Sequence, residues 1–358
     1  MNKVKKVINP HTAKQPINYM VWIVTSIVLV VALIGGVLFD QLYQRPILTI
    51  NGDKYTMNDL RYYFYTIESQ YDYFNQALGG NYWDTKYDEQ SGKTMREVAK
   101  QDAIDTSLYT EVLYKDAMKK GYKLTADEQK TIATNVKNLL DQQIPKVTAN
   151  KNGFTTAYLT KVLDKATIID RYRKDVIKTF NIDEAKITAG VSKEDNRQYD
   201  LEYLFISTKK TDDQGKSVDM TADEKTAAYN KINGIYDKAL TTKDWSTLIP
   251  TDEKDLTYKK DNFVVNDSKF TTAFKTKMKT LNNNDISQVY QDADGYYIVR
   301  MLNNNSTEAY DNAVKQAINT AESDQFNTYY QDLLKSYPYK VNNKELSKYK
   351  MGEITINN

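Results

Sequence analysis

Hydrophobic and polar positions along this chain follow three patterns in turn. Tyr19 to Phe39 is 21 residues without a charge, dense in Val, Ile and Leu. At 1.5 Å per residue a helix of that length spans ~31 Å, the thickness of a bilayer's hydrocarbon core. Ile47 to Thr56 then reads as a hairpin, with Asn51-Gly52 supplying the positive-φ turn. From Met57 the period becomes helical, with aromatics at Tyr62, Tyr63, Phe64, Tyr71, Tyr73 and Phe74, until Gly79-Gly80-Asn81 ends the run. Three long helices are predicted next. The first, Thr94 to Lys120, carries Ile104, Leu108 and Val112 on one face, and Thr125-x-x-Glu128 caps the start of the second, which ends near Pro145. The third, Thr155 to Phe180, has a stripe of Leu159, Val162, Ala166, Ile169, Tyr172 and Val176.

Past a polar link, Asn181 to Arg197, the pattern changes. Tyr199 to Ile206 is aromatic and β-branched and predicts a strand. Ala228, Ile232, Ile235 and Ala239 mark one face of a helix, Phe270 to Leu281 is a second helix, and Gly295 to Leu302 is a returning strand after the turn Asp294-Gly295. These elements describe a small α+β domain. Asn303 to Ser306 reads as a linker and Thr307 to Tyr337 as a helix with Ala309, Ala313, Ala317 and Ala321 every fourth residue, stopped by Pro338. Glu353 to Ile356 is predicted as a short strand.

Composition narrows the chemistry. There is no Cys, and His11 is the single His, so thiolate sites, disulfides, Ser-His-Asp triads and His-based zinc sites are excluded beyond residue 39. Asp292-x-Asp294-Gly295 looks like part of a calcium loop. Tyr290 and Met301 stand where that loop needs carboxylates, so a plain turn is expected. Neither cofactor nor metal is expected. Basic residues number 49 and acidic ones 47, which leaves no nucleic-acid footprint. The first 39 residues hold Lys3, Lys5, Lys6 and Lys14 and no acid, against Asp40 beyond the apolar stretch. That asymmetry predicts a cytoplasmic tail (residues 1–18), a transmembrane anchor (19–39) and an extracytoplasmic body, a single-pass protein of the cell membrane. A cleaved signal peptide is the rival reading, but Gly35-Gly36-Val37-Leu38-Phe39 is a poor cleavage site.

The order of elements from Arg197 to Asn303 resembles a parvulin-type peptidyl-prolyl isomerase domain. Tyr203 and Tyr297 stand where that family has its two His, and Leu281 to Ser287 matches its Leu-x-x-Gly-Glu-(Ile/Met)-Ser, with Asn284 in place of Gly. Phe274 falls on the family's proline-pocket aromatic. The family's Gly-Asp-Leu-Gly turn is reduced to Lys254-Asp255-Leu256-Thr257. The hairpin-then-helix start, Tyr82-Trp83-Asp84 and Gly121 to Glu128 are similar to the N-terminal part of PrsA/SurA-type extracytoplasmic foldases. The resemblance implies an α+β fold: a mainly helical SurA-N-like chaperone domain (residues 47–182 and 304–358), discontinuous and completed by the C-terminal helix, with a parvulin-like domain (197–303) inserted.

It further implies a peptide-binding cleft formed by Tyr203, Phe205, Phe274, Met278, Ile286 and Tyr297, with no catalytic residue assigned. Core packing explains the same six residues, with Tyr203 and Tyr297 as cross-strand neighbours. The expected role is a membrane-anchored foldase or chaperone for unfolded, newly exported polypeptides, with weak or no isomerase activity. An active parvulin-type isomerase and a non-catalytic structural ectodomain are the alternatives. Whether the body forms a homodimer is open.

Overall fold

The computed structural model describes residues 45–251 and 253–356. The apolar stretch 19–39 lies outside them. Among the described residues no helix is long and apolar enough to cross a membrane. The chain folds as two compact units, one of residues 45–176 with 330–356, the other of residues 177–329.

The first unit opens with β1 (Leu48–Ile50) and β2 (Asp53–Tyr55), an antiparallel hairpin pairing Leu48 with Tyr55. Its turn puts both Asn51 and Gly52 at positive φ, as the Asn-Gly pair predicts. Five helices follow: α1 (Met57–Ala77), α2 (Met95–Lys119), α3 (Ala126–Asn138), α4 (Lys146–Asn152) and α5 (Thr156–Ile177). Reciprocal capping boxes start α1, α2 and α3, pairing Thr56 with Asp59, Thr94 with Glu97 and Thr125 with Glu128. The predicted stripes face inward: Ile104, Leu108 and Val112 of α2 are buried, as are Leu159, Val162, Ile169, Tyr172 and Val176 of α5. Ala166 is the exception and is exposed.

Chain from beyond residue 330 completes this unit. Tyr339–Val341 adds a third strand beside β1, Leu48 opposite Val341. The predicted strand at Glu353 to Ile356 does not form. The buried carboxylate of Glu68 instead accepts the backbone N–H groups of Gly352 (2.5 Å), Ile354 (3.2 Å) and Thr355 (2.7 Å), so no ladder is left for them to make.

The second unit is an antiparallel sheet of β3 (Gln198–Ser207), β6 (Leu256–Val264), β7 (Tyr290–Gln291) and β8 (Gly295–Ser306) in the order β6-β3-β8-β7. A small hairpin, β4 (Lys209–Thr211) with β5 (Ser217–Asp219), follows β3. Strands β3 and β8 come from the sequence pattern, whereas β6 is additional to it. Asn303 to Ser306 is not a linker. It continues β8 and pairs with β3 past a bulge at Asp200, Ser306 lying opposite Gln198.

Helix α6 (Glu184–Gly190) precedes the sheet, α7 (Ala222–Thr241) covers one face, α8 (Thr272–Met278) packs on the other, and α9 (Glu308–Leu334) follows β8. The sequence reading groups residues 304 onward with the helical part. In the structure, residues 304–329 group with the sheet unit, where Tyr310 Oη donates to Thr188 O (3.4 Å) and Tyr329 meets Phe180.

Candidate functional site

Strand alternation sends successive residues of β3 to opposite faces of the sheet. Tyr199, Leu201, Tyr203 and Phe205 go to one side, where they meet Phe263 of β6, Tyr297, Val299 and Met301 of β8, and Phe274 and Met278 of α8. Five of the six residues expected to form a cleft are brought together here: Tyr203, Phe205, Phe274, Met278 and Tyr297. Ile286 is not with them. It bridges to Arg300 and packs on the opposite face, with Leu204, Ile206 and Ile298 against α7.

The aromatic face is filled. The ring of Tyr297 lies 5.5 Å from that of Tyr203, 4.7 Å from Phe205 and 5.0 Å from Phe274, measured between centroids. Phe270, in the segment before α8, stacks on Phe274 at 4.5 Å and approaches Tyr203 edge-on at 5.9 Å. Phe274 and Met278 are consequently fully buried, and Tyr203 and Tyr297 are 7% and 6% exposed. Offset and edge-to-face pairs of this kind contribute about 0.5–1.5 kcal/mol each beyond the area they bury. Gly295 is required for the arrangement. A Cβ there would lie 2.2 Å from Ile206 O and 2.4 Å from the ring of Phe205.

Tyr297 Oη donates to Asp294 at 3.0 and 3.1 Å, and burial, reinforced by that carboxylate, holds its phenol well above the ordinary value. Tyr203 is raised mainly by burial as well, with Asp261 and Asp294 adding to it. Both phenols stay protonated at neutral pH, and that of Tyr297 donates to Asp294. Among the described residues no cluster of His, Cys, Asp and Glu is arranged to hold a metal. On the α7 side, Glu202, 2% exposed, is closed off by the guanidinium of Arg300, which lies over Trp245 (4.8 Å), and by Tyr258 Oη (2.6 Å). Sequence reasoning missed Phe270 as the residue that fills the aromatic face. Its spacing of four from Phe274 is the signal that could have found it.

In the helical unit the aromatics of α1 divide by position. Tyr63 and Phe64 are buried, while Tyr62 and Tyr65 meet Phe154 edge-on at 5.7 and 5.3 Å. One end of α1 stays open. Tyr73 is 72% exposed, Phe74 44% and Leu78 64%. Phe74 lies 5.7 Å from Tyr73 and 5.8 Å from Tyr82, so these side chains form one continuous patch. The patch is fixed from beneath: Tyr82 N donates to Asn75 Oδ1, and Trp83 Nε1 to Asp72 Oδ1.

No family model matches the chain, and no curated protein does. Among solved structures the chain is similar to the foldase protein PrsA from Lactococcus lactis (15% identity, TM-score 0.31, covering 86% of this chain and 99% of that one). It is similar to PrsA from Streptococcus pneumoniae (15% identity, TM-score 0.29, 74% of this chain and 93% of that one). A third match is to a structure from Campylobacter jejuni, described among SurA-like chaperones (10% identity, TM-score 0.32, 83% of this chain and 98% of that one).

Proposed function

We propose that this chain is a membrane-anchored, extracytoplasmic foldase that holds unfolded segments of exported proteins, and that its sheet unit has weak or no isomerase activity. The observation that carries the reading is the exposed patch of Tyr73, Phe74 and Leu78 on the helical unit. Apolar surface grouped in this way marks a contact site for apolar partners. Covering greasy segments of a client lowers its aggregation by the same burial that drives folding, and needs no nucleotide. The packed sheet face supports the second half of the proposal. Rotating a prolyl bond means overcoming a barrier of about 18–20 kcal/mol set by amide resonance, and a catalyst must desolvate and twist that bond in a receptive cleft. Here aromatic rings occupy that face, and neither Tyr203 nor Tyr297 is ionised to act as a base at neutral pH.

The test is light scattering from a chemically denatured client diluted into buffer, with proline-limited refolding followed in parallel. Suppressed scattering at equimolar chain, with refolding rates unchanged, is expected. Undiminished scattering would remove the holding function, and a large rate increase would make the chain an isomerase.

A further inference from the structure

The helical unit also contains a cavity away from the patch at the end of α1. With a volume of about 260 Å³, it opens between the end of β2, the first turns of α1, and α5. Four of its lining residues, Tyr158, Lys161, Val162 and Lys165, are spaced i, i+3, i+4 and i+7, so they form one face of α5. Tyr55 and Tyr63 stand opposite. The walls are largely phenol rings and one aliphatic side chain.

The polar groups of the cavity are unequal. Lys165 is neutralised, its Nζ lying 2.5 Å from the buried carboxylate of Glu111, which Tyr63 Oη also approaches at 3.5 Å. Asp59 is occupied in capping α1 through Thr56. Lys161 is exposed, and among the described residues its ammonium has neither an ion pair nor a hydrogen bond. Tyr158 Oη accepts from Tyr62 N–H at 3.1 Å, which leaves its own proton without a protein acceptor among the described residues. Burial raises the Tyr158 phenol, so that proton is retained. One spare cation and one spare hydroxyl donor therefore sit three residues apart on one helix face, beside an aromatic wall.

We infer that this cavity binds a carboxylate adjoining an apolar side chain of an unfolded polypeptide. The carboxylate pairs with Lys161 and Tyr158, and the apolar side chain packs among Tyr55, Tyr63 and Val162. The chemistry is met equally by a C-terminal carboxylate and by an Asp or Glu side chain within the client. The inference rests on the reading that the chain binds polypeptide, and gives that binding an anionic preference that the patch at Tyr73 and Phe74 does not supply.

Fluorescence anisotropy on the chain tests it with three labelled, otherwise Gly/Ser-rich peptides. One carries Leu-Phe-Glu with an amidated end, one Leu-Phe-Gln with an amidated end, and one Leu-Phe-Gln as its terminal residues with a free acid. Either acid-bearing peptide should bind about tenfold more tightly than the amidated Gln peptide, and which one does identifies the source of the carboxylate. Lys161→Gln should abolish that preference and Lys161→Arg should retain most of it, with thermal unfolding of both unchanged because the side chain is exposed. Equal binding of all three peptides, or a preference that survives Lys161→Gln, overturns the inference while leaving the proposed function intact. No peptide binding together with undiminished client aggregation defeats both.

Discussion

The ring of Phe270 lies parallel to that of Phe274, with centroids 4.5 Å apart and planes 10° apart. This one contact closes the aromatic face over the position where the resemblance expects an open pocket. Phe270 is only partly buried, yet it also meets Phe263 and Tyr203, so its removal leaves a void above a core. Phe270→Ala should destabilise the sheet unit by about 3 kcal/mol, towards the low end for aromatic truncations. Urea unfolding followed by tyrosine fluorescence measures it. A change below about 0.5 kcal/mol would mean that the ring merely rests on the surface.

Glu68 predicts a second result. Its carboxylate, fully buried, takes three backbone N–H groups and the Thr355 hydroxyl from an irregular segment near the end of the chain. Replacing it with Ala orphans those donors in a dry site, which costs about 3–5 kcal/mol. Glu68→Ala should lower the unfolding midpoint and let protease cut between residues 347 and 356 of otherwise folded chain. Wild-type resistance to cleavage in that segment would contradict the assignment.

The acid limb of stability should depend on Asp116. Burial pushes this carboxyl up, but bonds from Tyr172, Lys120 and Tyr337 outweigh it and hold the folded value below the ordinary one. A depressed folded value means that the stabilisation is fully present above the unfolded value of about 3.9 and is lost as pH falls through the folded one. Asp116→Asn should therefore be less stable than wild type at pH 7, with the gap narrowing below about pH 4. Urea titrations at both pH values check this. A gap independent of pH would assign the loss to packing.

Much of this architecture can be read from residue order, and what cannot has physical causes. Tyr203, Phe205 and Tyr297 share a face because strand side chains alternate, and Phe274 and Met278 join them at helical spacing. Ile286 was placed by a motif, and motif order does not reveal which face of a sheet a residue meets; its bridge to Arg300 turns it to the α7 side. Strand β6 was hidden because Lys259, Lys260 and Asp261 interrupt any hydrophobic alternation. It lies at the sheet edge, where charges are tolerated and discourage further pairing. Asn303 to Ser306 has the composition of a linker, yet pairing with β3 holds it in the ladder. The strand expected at Glu353 to Ile356 does not form because the N–H groups of Gly352, Ile354 and Thr355 are satisfied by a side chain 284 residues or more distant.

A buried charge pair gives the fourth prediction. Glu202, 2% exposed, depends on Arg300, whose guanidinium also donates to Thr242 O (3.0 Å) and Lys243 O (2.5 Å). Arg300→Met should cost about 3–5 kcal/mol by leaving that carboxylate unpaired. Adding Glu202→Gln should recover a substantial part. A double-mutant cycle of urea midpoints reads this directly, and simple additivity would show that the two do not interact.

Where the client lands decides the central claim. A photo-crosslinking residue placed at position 74 on the helical patch, or at 205 on the sheet's aromatic face, can be irradiated with a denatured client present. Most of the cross-linked client should be attached through position 74, with little through 205. Dominant crosslinking through 205 would contradict the account and make the sheet unit the binding site.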